Sequence, residues 1–317
     1  MKNKTNYIDN DESLATRAAW LHYIGGYTQA AVAKRLGLNS IKVHRLIARA
    51  VSEGTVKVSI DGPIIECVEL ENKLSRLYAL DYCQVAPDLG EKEIPMRALG
   101  LAGANFFLQE LNRKKSQTIG IAHGRTLASA IKQLPRIDAS HMKFVSMQGG
   151  LTRHFSVNPD DVMHRIAEKT GAQAFIMPVP FLANTVSDRD VFLSQRGVSE
   201  VFKMGTNADL KIVGIGTTEP TAQLVSSGMI KPEEINQISS DGGVGEILGH
   251  FFDTRGNLLE TALTARILTI PIEKRAKERL IAIAGGSNKV DAIRAILTSR
   301  TLTGLITDEC TARALVN

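Results

Sequence analysis

The sequence predicts an α/β protein in two parts: a small N-terminal helix-turn-helix domain of the winged type, then a large α/β domain. Three observations carry that expectation. From Tyr82 onward, short β-rich runs alternate with helical stretches, as in a mainly parallel sheet. Between Asp11 and Ser52, helical patterns are separated by glycine breaks, as tight turns between helices require. The charge is also uneven. Residues 1–62 hold nine Lys and Arg against five Asp and Glu, while the remaining residues carry a net charge of only +1.

A length of 317 residues fits two domains at roughly 150 residues each. The 44% hydrophobic and 22% charged content excludes wholesale disorder, collagen and a coiled-coil rod. The sequence has no uninterrupted apolar run of the roughly 18 residues that mark a transmembrane helix. Its polar start, MKNKTNYIDNDES, lacks the apolar stretch of a secretory signal. Cys67, Cys83 and Cys310 are odd in number and widely spaced. Neither a disulfide framework nor a zinc finger is expected, and a reducing cytoplasm fits.

The N-terminal elements follow in order. Asp11–Tyr23 reads as a helix with Leu14, Ala18, Leu21 and Trp20 on one face. Gly25-Gly26 breaks it, and Thr28 suits the N-cap of a second helix, Gln29–Leu36. Gly37 supplies a tight turn, and Asn39 or Ser40 caps a third helix running to about Ser52. Val32, Leu36, Leu38, Val43 and Leu46 lock the last two helices, with small Ala33 where they cross.

That spacing leaves Ser40, Ile41, Lys42, His44, Arg45 and Arg49 outward. The stretch from Ser13 to Ser52 holds no acid. Such a surface suits a polyanion, because each neutralised phosphate releases counterions. In a helix-turn-helix the third helix enters the major groove, where Lys42 and Arg45 donate to guanine O6 and N7. Thr28, Gln29 and Arg49 suit phosphates. Thr55–Ile60 alternates as a short wing strand. Asp61-Gly62-Pro63 then reads as a hinge, so the domains are expected at 1–62 and 63–317. Ile64–Leu80 reads as a helix through Ile64, Val68, Leu70, Leu74 and Leu77.

In the large domain the strands are expected at Gln117–Ala122, Lys143–Met147, Ala174–Val179, Leu210–Ile215, Leu280–Ala284 and Gly304–Thr307. Helical patterns include Thr126–Gln133, Asp160–Lys169, Asp188–Gln195 and Val290–Ser299. Ligands of such sheets bind beyond the carboxyl ends of strands, at a topological switch point. Glycines fall there four times: in His123-Gly124-Arg125-Thr126, at Gly149-Gly150, at Gly214 and Gly216, and in the loop leading to Lys289. Gly124 allows a sharp turn, Thr126 caps the next helix, and Lys289 adds a cation at a helix start. Together they predict one strand-end pocket for a small polyhydroxylated ligand, with or without a phosphate.

GxGxxG after a first strand, GxxxxGK[ST] and HExxH are all missing. His123 suits either an acid/base or a hydrogen bond in the pocket wall. Glu246 suits either two sugar hydroxyls or a turn-terminal surface position. His250 and Asp253 fall on opposite faces of a strand, so no metal site is expected. Asp308 and Glu309 suit capping of the last helix or contact with the ligand.

A set of segments then resembles a known family, the SorC-type sugar-responsive transcriptional regulators. They are the Val32–Leu46 helix-turn-helix, GIAHGRTL at Gly120–Leu127, Gly149-Gly150, VGIG at Val213–Gly216, GEILGHFFD at Gly245–Asp253, AGGSNKVDAI at Ala284–Ile293 and LITDECT at Leu305–Thr311. The resemblance implies an effector domain similar in fold to sugar-phosphate isomerases and CoA transferases, without their catalysis. It implies that Gly124-Arg125-Thr126 and Lys289 hold the phosphate end of an effector and that Glu246 takes sugar hydroxyls. It also implies a tetramer, a dimer of dimers. Many members carry Asp where this chain has Glu246, so the ligand itself does not transfer.

The expected function is a DNA-binding transcriptional regulator, acting as a repressor of a carbohydrate or polyol catabolic operon. Its partners would be double-stranded operator DNA and a sugar, polyol or sugar-phosphate effector, with no cofactor and no membrane. Two rivals differ in class: a sugar-phosphate isomerase-like enzyme with an attached DNA-binding domain, and a DNA-associated protein with a vestigial effector domain.

Overall fold

The computed structural model describes residues 11–56, 65–91, 93–113, 116–152, 162–272 and 279–317. The chain divides into two compact units, Met1–Pro63 and Ile64–Asn317. Most of the expected wing strand, the hinge at Asp61-Gly62-Pro63, and Ile64 lie outside the described residues.

The first unit holds three helices, α1 (Asp11–Tyr23), α2 (Gln29–Leu36) and α3 (Ser40–Ser52). The Thr28 hydroxyl accepts from the Ala31 amide at 3.3 Å, and Asn39, not Ser40, caps α3 by accepting from the Lys42 amide at 2.7 Å. Gly37 takes φ +68 between the two helices, a left-handed value that suits glycine. A small core forms from Ala15, Ala18, Ala19, Leu21, Val32, Ala33, Val43, Leu46, Ile47 and Ala50. Trp20 departs from expectation: it is 59% exposed. It lies about 200° round the helix from Ala18, so the face that buries Ala15, Ala18 and Leu21 turns Trp20 outward.

The second unit runs α4 (Ile65–Tyr78), β1 (Tyr82–Ala86), α5 (Met96–Leu111), β2 (Thr118–Ile121), α6 (Arg125–Gln133), β3 (Lys143–Ser146), α7 (Met163–Thr170), β4 (Gln173–Phe175), α8 (Val186–Ser194) and α9 (Arg196–Thr206). It continues through β5 (Leu210–Val213), β6 (Gly216–Thr217), α10 (Gln223–Ser226), α11 (Pro232–Ser240), β7 (Gly243–Ile247), β8 (His250–Asp253), β9 (Arg279–Ile283), α12 (Val290–Thr298), β10 (Gly304–Asp308) and α13 (Glu309–Val316).

Seven strands form a parallel sheet in the order β1-β10-β9-β5-β2-β3-β4. From β2 the chain winds outward through β3 to β4. It then returns to pair β5 with the other edge of β2 and winds the opposite way. The reversal between β2 and β5 is the switch point of this sheet, and it leaves a crevice at their carboxyl ends. Apolar residues on both faces are almost wholly buried, Ile119, Phe144, Leu210, Ile212, Ile281 and Ile306 on one and Val145, Val213, Ala282 and Leu305 on the other, as parallel sheets covered by helices require. A smaller antiparallel sheet, β6-β7-β8, has its own apolar cluster around Phe181, Ile235, Ile238, Phe251 and Ile267.

Two elements differ from expectation. The strand expected at Ala174–Val179 ends at Phe175. Pro178 and Pro180 have no amide hydrogen for a ladder, so the chain continues as irregular structure. In α4 the buried stripe is Cys67, Leu70, Leu74 and Tyr78, while Val68 and Leu77 are exposed. The buried residues recur every three or four positions, which is one face of a helix; Val68 and Leu77 fall off it.

Candidate functional site

A polar cavity of about 210 Å³ opens at the switch point. The loop after β2 contributes Ala122 to Thr126, and the loop after β5 contributes Gly214, Ile215 and Gly216. Asn288 and Lys289, after β9, close one side, and Glu246 on β7 and Gln223 on α10 close another. The segment Glu93, Ile94 and Met96 lies along the rim.

The β2 loop turns at Gly124, whose φ of +143 excludes most side chains. Helix α6 begins directly after it, so the first amides of α6 border the cavity. An α-helix leaves about four such amides without partners inside the helix. The Arg125 amide donates to Gln223 Oε1 at 3.4 Å. Thr126 does not cap the helix, contrary to expectation. It lies inside α6, and its hydroxyl donates across to the Ile283 carbonyl at 3.0 Å, which ties α6 to β9. His123 sits in the wall, with Nδ1 3.3 Å from Gln148 Nε2.

Glu246 is buried, not a surface acid at a turn. Its Oε1 accepts the Gly249 amide at 2.5 Å. A Cβ at Gly216 would come within 2.5 Å of Glu246 Oε2, so a side chain there would push the carboxylate out of its present place. Burial pushes Glu246 up to about 7, against the pull of the Gly249 amide and the Lys289 charge. Lys289 ends a short 3-10 turn, Ser287–Lys289, just before α12, and its Nζ donates to the Ile215 carbonyl at 2.6 Å. Burial pulls its ammonium down to about 8; the Arg125 charge adds to that and the Glu246 carboxylate opposes it.

Of the expected pocket residues, His123, Gly124, Arg125, Thr126, Gly214, Gly216, Glu246 and Lys289 come together around this cavity. Gly149 and Gly150 do not line it. Gly149 packs against chain: its amide donates to the Leu268 carbonyl at 2.8 Å, and a Cβ there would meet Pro180 O at 2.1 Å. That glycine serves a close backbone crossing. Asp308 caps α13, accepting the Thr311 amide at 3.0 Å, and Glu309 pairs with Arg313 at 2.7 Å. His250 Nε2 sits 2.9 Å from the Ile270 carbonyl, and Asp253 accepts turn amides from Arg255 and Asn257. Among the described residues no group of His, Cys, Asp and Glu is placed to hold a metal ion.

Gln148, Gln223 and Asn288 were missed by sequence reasoning. Asn288 adjoins Lys289 and was within reach of the glycine-loop argument. Gln148 and Gln223 belong to no motif, and only the fold brings them to the cavity.

In the first unit a shallow groove runs along α3, lined by Asn39, Ile41, Lys42, His44, Arg45 and Arg49 among others. Ser40, Lys42, His44 and Arg45 are exposed, and Ile41 is 76% exposed. Gln29 Oε1 lies 3.3 Å from His44 Nδ1, which joins α2 to this face. Arg49 pairs with Glu53 at 2.7 Å, and the Thr28 hydroxyl is engaged as a cap.

The model of the sugar-binding domain family matches residues 62–317. The chain is 60% identical to the erythritol catabolism regulatory protein EryD of Brucella abortus (strain 2308), covering 97% of this chain and 98% of that one. It is 28% identical to the transcriptional regulator LsrR of Enterobacter sp. (strain 638) over 96% of this chain and 93% of that protein. The crystal structure of the full-length sorbitol operon regulator SorC from Klebsiella pneumoniae superposes with a TM-score of 0.69 at 25% identity, covering 97% and 99% of the two chains.

Proposed function

The chain belongs to the sugar-binding domain family of transcriptional regulators, and from that premise we propose that it represses a polyol or sugar catabolic operon under control of a small effector. The observation that carries this reading is the pairing, in one chain, of an acid-free cationic helix face with a polar cavity at a sheet switch point. In this reading α2 and α3 form the helix-turn-helix. Lys42 and Arg45 read base edges, and Ser40, His44, Arg49, Gln29 and Thr28 set the position on the phosphates. The cavity takes the effector. Its volume lies below the roughly 300–1,000 Å³ of drug-sized sites, so the ligand is small. Glu246 accepts hydroxyl groups, and Arg125, Lys289 and the α6 amides hold any anionic end.

Effector binding changes operator affinity by linkage, through its unequal affinity for two arrangements of the protein. A coupling of about 1–3 kcal/mol gives a roughly 5–150-fold change. The working unit in this reading is a cytoplasmic tetramer, a dimer of dimers, which light scattering on the full chain tests. The isomerase alternative finds no support, since the relatives compared are named as regulators.

The deciding experiment is binding to DNA upstream of the protein's own gene, at fixed salt, with and without C4–C6 polyols and their phosphates. A relative that regulates erythritol catabolism makes the four-carbon compounds the first to try. Release by one compound names the effector. Tight binding that no compound shifts removes the sensor. Arg45→Ala is expected to cost about 1–3 kcal/mol of specific affinity and relax the preference at one base. Unchanged operator affinity would exclude α3 as the reader.

A further inference from the structure

Helix N-termini cluster at the carboxyl end of the parallel sheet, and the chain fills them unequally. At α5, the Glu91 carboxylate accepts the Arg97 and Ala98 amides at 2.8 and 2.9 Å. At α13, the Asp308 carboxylate accepts the Thr311 amide at 3.0 Å. Both therefore carry a negative group from the chain itself, as the positive end of a helix favours. At α6 the group is a neutral carboxamide, that of Gln223, and its 3.4 Å contact is longer than a usual N–H···O bond. This N-terminus borders the cavity, next to Arg125 and the half-buried Lys289. Two cations and a helix N-terminus converge there and disfavour one another, with the Glu246 carboxylate opposing this at Lys289. Gln223 projects from α10, a single turn, and is only partly buried.

We infer that Gln223 is the selecting residue of this cavity: its carboxamide stands in for the anionic end of the effector at the α6 N-terminus and is displaced when that end binds. The inference rests on the cavity being the effector site. Displacement moves α10, whose own Leu224 and Val225 pack on the apolar cluster of the smaller sheet, so ligand entry is felt beyond the cavity. A carboxylate at position 223 would hold the α6 amides permanently, as Glu91 and Asp308 hold theirs.

The test uses the full chain and inorganic phosphate as the probe, read as the shift in melting temperature. Wild-type protein is expected to be stabilised by phosphate and Gln223→Ala to be stabilised at several-fold lower phosphate. Gln223→Glu is expected to melt higher without phosphate and to lose the response. Lys289→Ala serves as the control for the cavity. A response lost in Lys289→Ala but identical in wild type and both Gln223 variants overturns the role of Gln223 and leaves the cavity reading standing. A response unchanged in all four proteins places the anion elsewhere and overturns the cavity reading as well. No response in wild type and Gln223→Ala, or a weaker one in Gln223→Ala, also overturns the inference, since a displaced residue cannot strengthen binding.

Discussion

Buried Glu246, with half-buried Lys289 beside it, shows how one cavity couples folding to ligand. Burial raises Glu246 to about 7, whereas an unfolded chain would release that proton near 4.3. The folded state therefore holds the proton more tightly. This contribution to stability is present at low pH and falls as pH rises from about 4.5 to 7. In Glu246→Gln that part of the slope is expected to vanish, which urea unfolding of both proteins at pH 5 and pH 7.5 measures. Ligand binding has the opposite dependence. The carboxylate is the better acceptor of hydroxyl hydrogen bonds, so effector affinity is expected to rise more steeply through pH 7 in wild type than in Glu246→Gln, where of the two groups only Lys289, lowered to about 8, still titrates. Titration calorimetry across pH 6 to 8 checks this; equal slopes would exclude Glu246 from the ligand. Glu246 stood out in the sequence as an acid among glycines, but its burial comes from β7 packing behind the cavity, which no local pattern contains.

At the scale of elements, two joints hold the sheet and its helices together. Arg279 at the start of β9 forms two 2.8 Å bonds to the buried Glu110 of α5, while half-exposed Arg113 touches the same carboxylate at 3.1 Å. Breaking the first leaves a buried charge poorly compensated. Arg279→Met is expected to cost about 3 kcal/mol and Arg113→Met less than about 1 kcal/mol, as urea denaturation would show. Equal costs would mean that the two arginines share the carboxylate evenly. The second joint is Gly149 against Pro180. Gly149→Ala forces a methyl group into backbone and is expected to cost about 3 kcal/mol, with effector affinity per folded molecule unchanged because Gly149 is outside the cavity. The glycine pattern after β3 looked like the patterns after β2 and β5. A glycine that bounds a cavity and a glycine that lets two chains cross have the same signature in one dimension.

The whole molecule has two compact units with separate apolar cores. Unfolding heat scales at about 0.7 kcal/mol per residue, and the first unit holds roughly a fifth of the chain. Scanning calorimetry is expected to show two transitions, the smaller with about a fifth of the total heat, and the smaller one alone should shift upward when operator DNA is added. A single transition would mean that the two cores melt together. No helix among the described residues is long and apolar enough to cross a membrane, in keeping with the absence of a long apolar run in the sequence.

The order of elements follows from local chemistry, because helix caps, turn glycines and apolar periodicity act within a few residues. Thr28, Gly37 and Asn39 bound α2 and α3 from local chemistry alone, and the alternation after Tyr82 called for a parallel sheet. The sequence also marked Glu246 and Lys289, which lie in unusual local company. Which loops meet depends on long-range packing. The cavity gathers positions 123, 148, 223, 246 and 289, and what joins them is the reversal of strand order between β2 and β5, a long-range pairing with no local trace. The same holds for Trp20, whose burial depended on which face of α1 meets α3, and for Gln223, whose meaning comes only from the helix end it faces.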